Sequence, residues 1–183
     1  MFNILHIITQ HKDFLKNNLQ GINQNQGISI GCAFAEFYFL LPNAVTCLEK
    51  YLKIKITKER FINDLKNNTF EYFKDALKKY DEETDVYSDN FVELDTMEIY
   101  ILSGLENCLF DIKEEQIVTS NFLLIIDILD YYENFSDNPE YWNKLLEEEI
   151  HFQKEIAIKI KNKEILDDSF YFNRYKNVPF DEI

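Results

Sequence analysis

Glycine and proline are scarce in this chain, at four and three among 183 residues. A sandwich or barrel of short strands needs frequent turn residues, and a βαβ fold needs glycines where strands meet helices. The shortage leaves helices. Gly21, Gly27, Gly31 and Gly104 never fall as GxGxxG or GxxxxGK, so no phosphate-cradling loop is legible. Cysteine is also thin. Cys32, Cys47 and Cys108 are odd in number, far apart, in apolar contexts and without a CxxC pair. Buried free thiols in a reducing compartment are expected. Long apolar runs are missing too: the longest, residues 28–41, has 14 positions and contains Glu36, too few to span a bilayer. The N-terminus has no basic stretch, and His6 and Gln10 interrupt its apolar residues, so no signal peptide is read and a cytoplasmic protein is expected.

Positive charge is missing from one block above all. Residues 80–149 carry twenty acidic side chains against two basic ones, Lys113 and Lys144. Residues 1–79 carry eleven basic and seven acidic, and residues 150–183 six of each. The formal net charge of −14 is therefore concentrated rather than uniform. Nucleic acid is held by Lys and Arg that displace its counterions, so it is not an expected ligand. A basic protein partner is, because opposite fields speed encounter; the same charge also serves solubility alone. What the chain has in quantity is apolar, at 46% hydrophobic and 15% aromatic residues. That composition argues against disorder, and the length suits one domain with a substantial core.

Leu5, Ile8, Phe14, Leu15 and Leu19 give a first helix over residues 2–19, and the polar GINQNQG of residues 21–27 reads as a loop. Residues 28–41 are apolar almost all round, which places a helix at the centre of the domain, ended or kinked by Pro42. Its one charge, Glu36, needs a cation, a donor or a rim, and a structural role and a functional one both fit it. A short helix follows over residues 44–52. Thr57 caps the next, in which Phe61, Leu65, Tyr72, Phe73, Ala76 and Tyr80 form one stripe. Its outer face is basic, with Lys74, Lys78 and Lys79 placed to complement the dipole at its C-terminal end. Residues 81–91 read as an exposed acidic loop. Leu94, Met97, Ile101, Leu105, Cys108 and Ile112 mark a helix on which Asp95, Glu98 and Glu106 share one side. A helix over residues 114–133 and a turn over 134–139 lead to a last long helix over 140–161, capped by Asp137 or Asn138 with Pro139 in its first turn. Trp142, Leu145, Phe152, Ile156 and Ile160 form its inner face, with Glu149 among them. The tail, residues 163–183, carries Phe170, Tyr171, Phe172, Tyr175 and Phe180 and is expected to pack back on the body.

Catalytic patterns are absent. No GxSxG is present and no Cys lies near a His in sequence. Glu148 and His151 form the lone ExxH, whereas a di-iron helical site uses two plus further glutamates, of which Glu36 could be one. Both also point away from the inner stripe of their helix. The expectation is no enzyme, no metal and no cofactor. The candidate site is a partner surface instead: Asp81, Glu82, Glu83, Asp85, Tyr87, Asp89, Glu93, Asp95, Glu98 and Glu106. There aromatic anchors are ringed by charges of one sign, as tight interfaces use them; a solvated loop whose aromatics dock on the core is the plainer alternative.

Three pieces together resemble the YjaG-like family of uncharacterised bacterial proteins (domain of unknown function 416). These are the apolar helix closing on Pro42-Asn43, a long helix then an acidic loop then the helix of residues 95–112, and a last helix opened by Asn138-Pro139 carrying Glu149, Gln153, Glu155 and Ile156. The likeness spans about residues 28–162. The family has a Glu-Arg pair shortly before its Pro-Asn, whereas here Glu36 lies further upstream and Phe37 stands in the place of the Arg. The resemblance implies an all-helical fold and no particular activity.

The sequence therefore predicts one all-α domain over residues 1–183, a bundle of six or seven helices around residues 28–41. The preferred function is an immunity or antitoxin-type protein whose acidic surface neutralises a basic toxin domain, plausibly a nuclease. The alternatives are a metal-dependent helical enzyme using Glu36, Glu148 and His151, and a YjaG-like housekeeping binding protein. No membrane is expected, and self-association is left open.

Overall fold

The computed structural model describes residues 4–83, 93–109 and 114–181, with the side chains of residues 4–6 and 83 outside that description. Among the described residues there is no strand, and there are nine helices: α1 (Ile4–Asn18), α2 (Gln24–Tyr38), α3 (Ala44–Leu52), α4 (Lys58–Asn67), α5 (Glu71–Glu83), α6 (Thr96–Asn107), α7 (Glu115–Phe135), α8 (Pro139–Lys161) and α9 (Phe170–Tyr175). The fold is all-α. None of these helices is long and apolar enough to cross a membrane.

Nine helices stand against six or seven expected, for local reasons. The stripe from Phe61 to Tyr80 is broken. Asn68 takes the left-handed conformation at φ 55°, and its amide and that of Thr69 turn back onto the last carbonyls of α4. That is a helix stop of the kind asparagine supplies. The tail adds α9. Helix α2 begins four residues earlier than its apolar run, inside the expected loop. The Asn23 side chain accepts from the Gln26 amide and the Gln26 side chain accepts from the Asn23 amide, a reciprocal capping box. The helix after Thr57 ends its second half at Glu83 rather than Tyr80, so residues 81–83 are helical, not loop. Its last turn is acidic and opposes the dipole, contrary to the expected basic end.

The chain falls into two compact units: residues 1–30, 111–167 and 182–183, and residues 31–110 and 168–181. In the first unit, α7 and α8 are joined by three residues and run antiparallel. Their bonded pairs close up towards the turn, from Gln153 with Phe122 to Asn143 with Glu133, and Tyr132 stacks on Trp142 at 4.4 Å. Helix α1 runs parallel to α8, because His11 pairs with Gln153 and Asn18 with Lys161 at nearly constant offsets of 142 and 143 residues. Asn138 caps α8 by accepting from the Tyr141 amide, with Pro139 as its first residue. On α8 the deeply buried leucine is Leu146 and not Leu145, and Glu149 is fully buried as its position on the inner face implied.

The second unit is aromatic. From residue 31 to Tyr38 the α2 helix is buried except at Glu36. Phe34 and Phe37 meet Tyr171 at 5.7 and 5.8 Å, and Phe37 also meets Tyr175 and Phe180. Tyr171, Tyr175 and Phe180 of the tail are thereby buried. Phe61 bridges Phe39 and Phe73 at 5.5 and 5.1 Å. Such edge-to-face pairs add roughly 1 kcal/mol each beyond the area they bury. Gly104 on α6 faces the Tyr38 ring so closely that a Cβ there would run into it.

Candidate functional site

The expected acidic surface separates into three kinds of residue. Asp85, Tyr87 and Asp89, and the side chain of Glu83, lie outside the described residues. Asp95 and Glu98 are structural. Asp95 is the N-cap of α6, accepting from the Glu98 amide at 2.8 Å, while Glu98 accepts in return from the Asp95 amide at 3.1 Å. The signature Asp-x-x-Glu was legible at residues 95–98, and starting the helix at Leu94 concealed it. Glu98 also accepts from Lys50 at 2.9 Å and from the Tyr51 hydroxyl at 2.7 Å. Burial alone would raise its carboxyl, but the bonds from Tyr51, Lys50 and the Asp95 amide outweigh it and leave the pKa lowered.

Asp81, Glu82, Glu93 and Glu106 form the third kind. Glu82 lies 4.0 Å from Lys78, with both side chains well exposed, a pair worth little. Glu93 is exposed and Glu106 half-buried on α6. Burial, with the charge of Asp81 facing it, raises the Glu106 carboxyl. Neither Asp81 nor Glu106 is paired with a cation among the described residues. Two lysines of the unit are engaged elsewhere: Lys58 stands 3.1 Å from Glu36, without hydrogen-bond alignment, and Lys66 pairs with Asp168 at 2.7 Å. Glu36 thus has the cation that a carboxylate near a core demands.

The residues weighed for metal do not assemble. Glu148 and His151 are exposed on α8, and Glu148 lies 3.8 Å from Lys144. Among the described residues no three His, Cys, Asp or Glu side chains are grouped so as to hold a metal ion. All three cysteines are buried and free. Burial pushes Cys32 and Cys47 up to about 12, and Cys108 well above an ordinary thiol, which disfavours the nucleophilic thiolate.

Sequence spacing gave no hint of a buried polar chain in the first unit. Gln153, fully buried, donates its amide to the Phe122 carbonyl at 2.8 Å and to Glu149 Oε1 at 2.9 Å. Its oxygen must therefore accept, so His11 Nε2 carries the proton of their 2.7 Å bond. His11 Nδ1 is left buried with no hydrogen-bond partner among the described residues. Burial lowers the His11 pKa, the Gln153 bond counteracts this, and the charge of Lys154 lowers it further. Neutral imidazole results. Only the inward position of Glu149 could have pointed to this chain; the partner on α1 is 142 residues from Gln153.

Fold and surface together define a helical protein with unneutralised carboxylates and no assembled metal or thiolate centre among its described residues. In comparisons with known proteins, no family model, no curated protein and no solved structure matches the chain.

Proposed function

We propose that the protein binds a basic protein partner through the acidic surface of the second unit, as an immunity or antitoxin-type protein neutralising a basic toxin domain. One observation carries this reading: Glu106 is half-buried within the field of Asp81, a like charge, and neither carboxylate is paired with a cation among the described residues. Carboxylates held together without a cation gain from one brought by a partner. A surface of this kind accelerates encounter and needs no catalytic group.

The test uses a basic nuclease toxin domain encoded beside this chain. Co-expression should restore growth to cells making that domain. Asp81→Lys with Glu82→Lys and Glu93→Lys should slow association about tenfold or more at low salt, and less at high salt. Asp95→Lys is no substitute, since it removes a helix cap. Unchanged association of the triple variant would place the contact elsewhere. Absence of any binding to such a domain would remove the reading itself.

A further inference from the structure

One polar residue sits in the apolar stripe by which α1 meets the rest of its unit. His11, Leu15 and Leu19, at steps of four, are all buried, while Lys12, Asp13, Lys16 and Asn17 between them are exposed. A leucine at position 11 would complete the stripe at no polar cost. The imidazole instead donates from Nε2 to Gln153 of α8 at 2.7 Å and keeps Nδ1 buried, without a hydrogen-bond partner among the described residues. The neutral ring is tolerated there. A second proton would go to Nδ1, as a buried donor with nothing to receive it and as a buried charge.

None of the groups facing the ring pairs with it as a counter-ion among the described residues. Lys154 of α8 carries the sign that the protonated ring would have. Glu149, also on α8, bonds the amide of Gln153. From α7 comes the Phe122 carbonyl, bonded to the same amide. On α1 itself, Lys12 and Asp13 are exposed. The two ends of α1 are also held differently. Beyond its C-terminal end, Asn18 accepts from Lys161 at 3.0 Å, the Gly21 carbonyl accepts from Lys163, and Gln26 donates to the carbonyls of Ile160 and Glu164. Amides, carbonyls and lysines do not titrate near neutral pH, whereas histidine does. The α7–α8 hairpin keeps ties of its own that do not involve α1, Gln153 with Phe122 and Tyr132 with Trp142.

We propose that His11 is an acid-sensitive latch: protonation at Nδ1 frees the N-terminal part of α1 from the α7–α8 hairpin, while residues 18–26 stay anchored to the end of α8 and the hairpin stays closed. The release is a local opening, distinct from unfolding of the whole chain, and it does not depend on the surface of residues 81–106. Burial holds the folded His11 below the ordinary 6.5, so the opened ring takes up the proton first. Opening is therefore flat above pH 6.5 and grows as pH falls from there towards the lowered folded value.

Native-state hydrogen exchange between pH 7.5 and 5, with and without low urea, tests the latch. Corrected for the intrinsic pH dependence of exchange, opening at residues 10–16 should exceed that at residues 122–132 at every pH. It should grow by up to about tenfold per pH unit below 6.5, the limit for one proton, and respond little to urea, as local openings do. Trp142, the chain's single tryptophan, should keep its near-ultraviolet circular dichroism throughout. His11→Gln should abolish the pH slope. In the natural chain the growth should level off at the pH where the His11 ring itself titrates, followed by its carbon-bound proton shifts. Opening of α1 that ignores pH, that keeps its slope in His11→Gln, or that matches α7 in size and urea dependence would overturn the proposal. So would a His11 ring titrating at or above 6.5, a measurement that needs no variant.

Discussion

Gln153 has an amide that donates twice and an oxygen that accepts once, all away from water. Removing it strands the His11 N–H and takes one donor each from the buried Glu149 carboxylate and the Phe122 carbonyl. Gln153→Leu, similar in volume, should therefore cost roughly 3 kcal/mol in urea denaturation, because unsatisfied buried groups carry most of their desolvation penalty. His11 sets a pH dependence. Its folded pKa lies below the ordinary value of 6.5, so on acidification the unfolded chain takes up the proton first. The stability this buried neutral form contributes is whole above pH 6.5 and declines as pH falls from there towards the lowered folded value. Urea midpoints measured between pH 7.5 and pH 5 should fall for the natural chain and fall less steeply for His11→Gln.

Among the elements, α2 and α6 meet where a side chain has been left out. Tyr38 occupies the space that a Cβ on Gly104 would need. Gly104→Ala raises helix propensity yet should destabilise the protein by about 1–3 kcal/mol, since the ring has to move within a filled core; a lower thermal midpoint is the expected readout. Elements are also where the sequence was most legible. Asn138 and Pro139 announced the start of α8, Thr57 that of α4, and the apolar run of α2, interrupted at Glu36, its burial, because caps and periodicity are local. The failures were physical as well. Gly21 and Gly27 disguised the Asn23–Gln26 box as a loop, although glycine at position 27 sits inside a helix. The break at Asn68 lay under a stripe whose phase continued across it. Asp95 and Glu98 looked like a ridge for a partner because composition reports charge and not what a carboxylate already holds. His11 and Gln153 are brought together by tertiary packing alone, which no window of the sequence spans.

For the molecule as a whole, the net charge of −14 acts within the folded chain as repulsion as well as outward as attraction. Pairs such as Lys50–Glu98 and Lys66–Asp168 offset it locally, while Asp81 with Glu106 and Asp130 with Glu133 do not. Screening should therefore stabilise the fold: the thermal midpoint should rise by a few degrees between about 10 and 150 mM sodium chloride, where the Debye length drops from about 30 to 8 Å. A chain stabilised mainly by its ion pairs would shift the other way. Gln26 has a consequence of a different kind. Its oxygen closes the capping box at the start of α2 while its amide donates to the carbonyls of Ile160 and Glu164 at the end of α8. One side chain thus secures two helix ends that lie 134 residues apart. Fraying, ordinarily a private event at each terminus, becomes shared here. Amide hydrogens in the first turn of α2 and at residues 162–164 should exchange with solvent at correlated rates, and Gln26→Ala should quicken both.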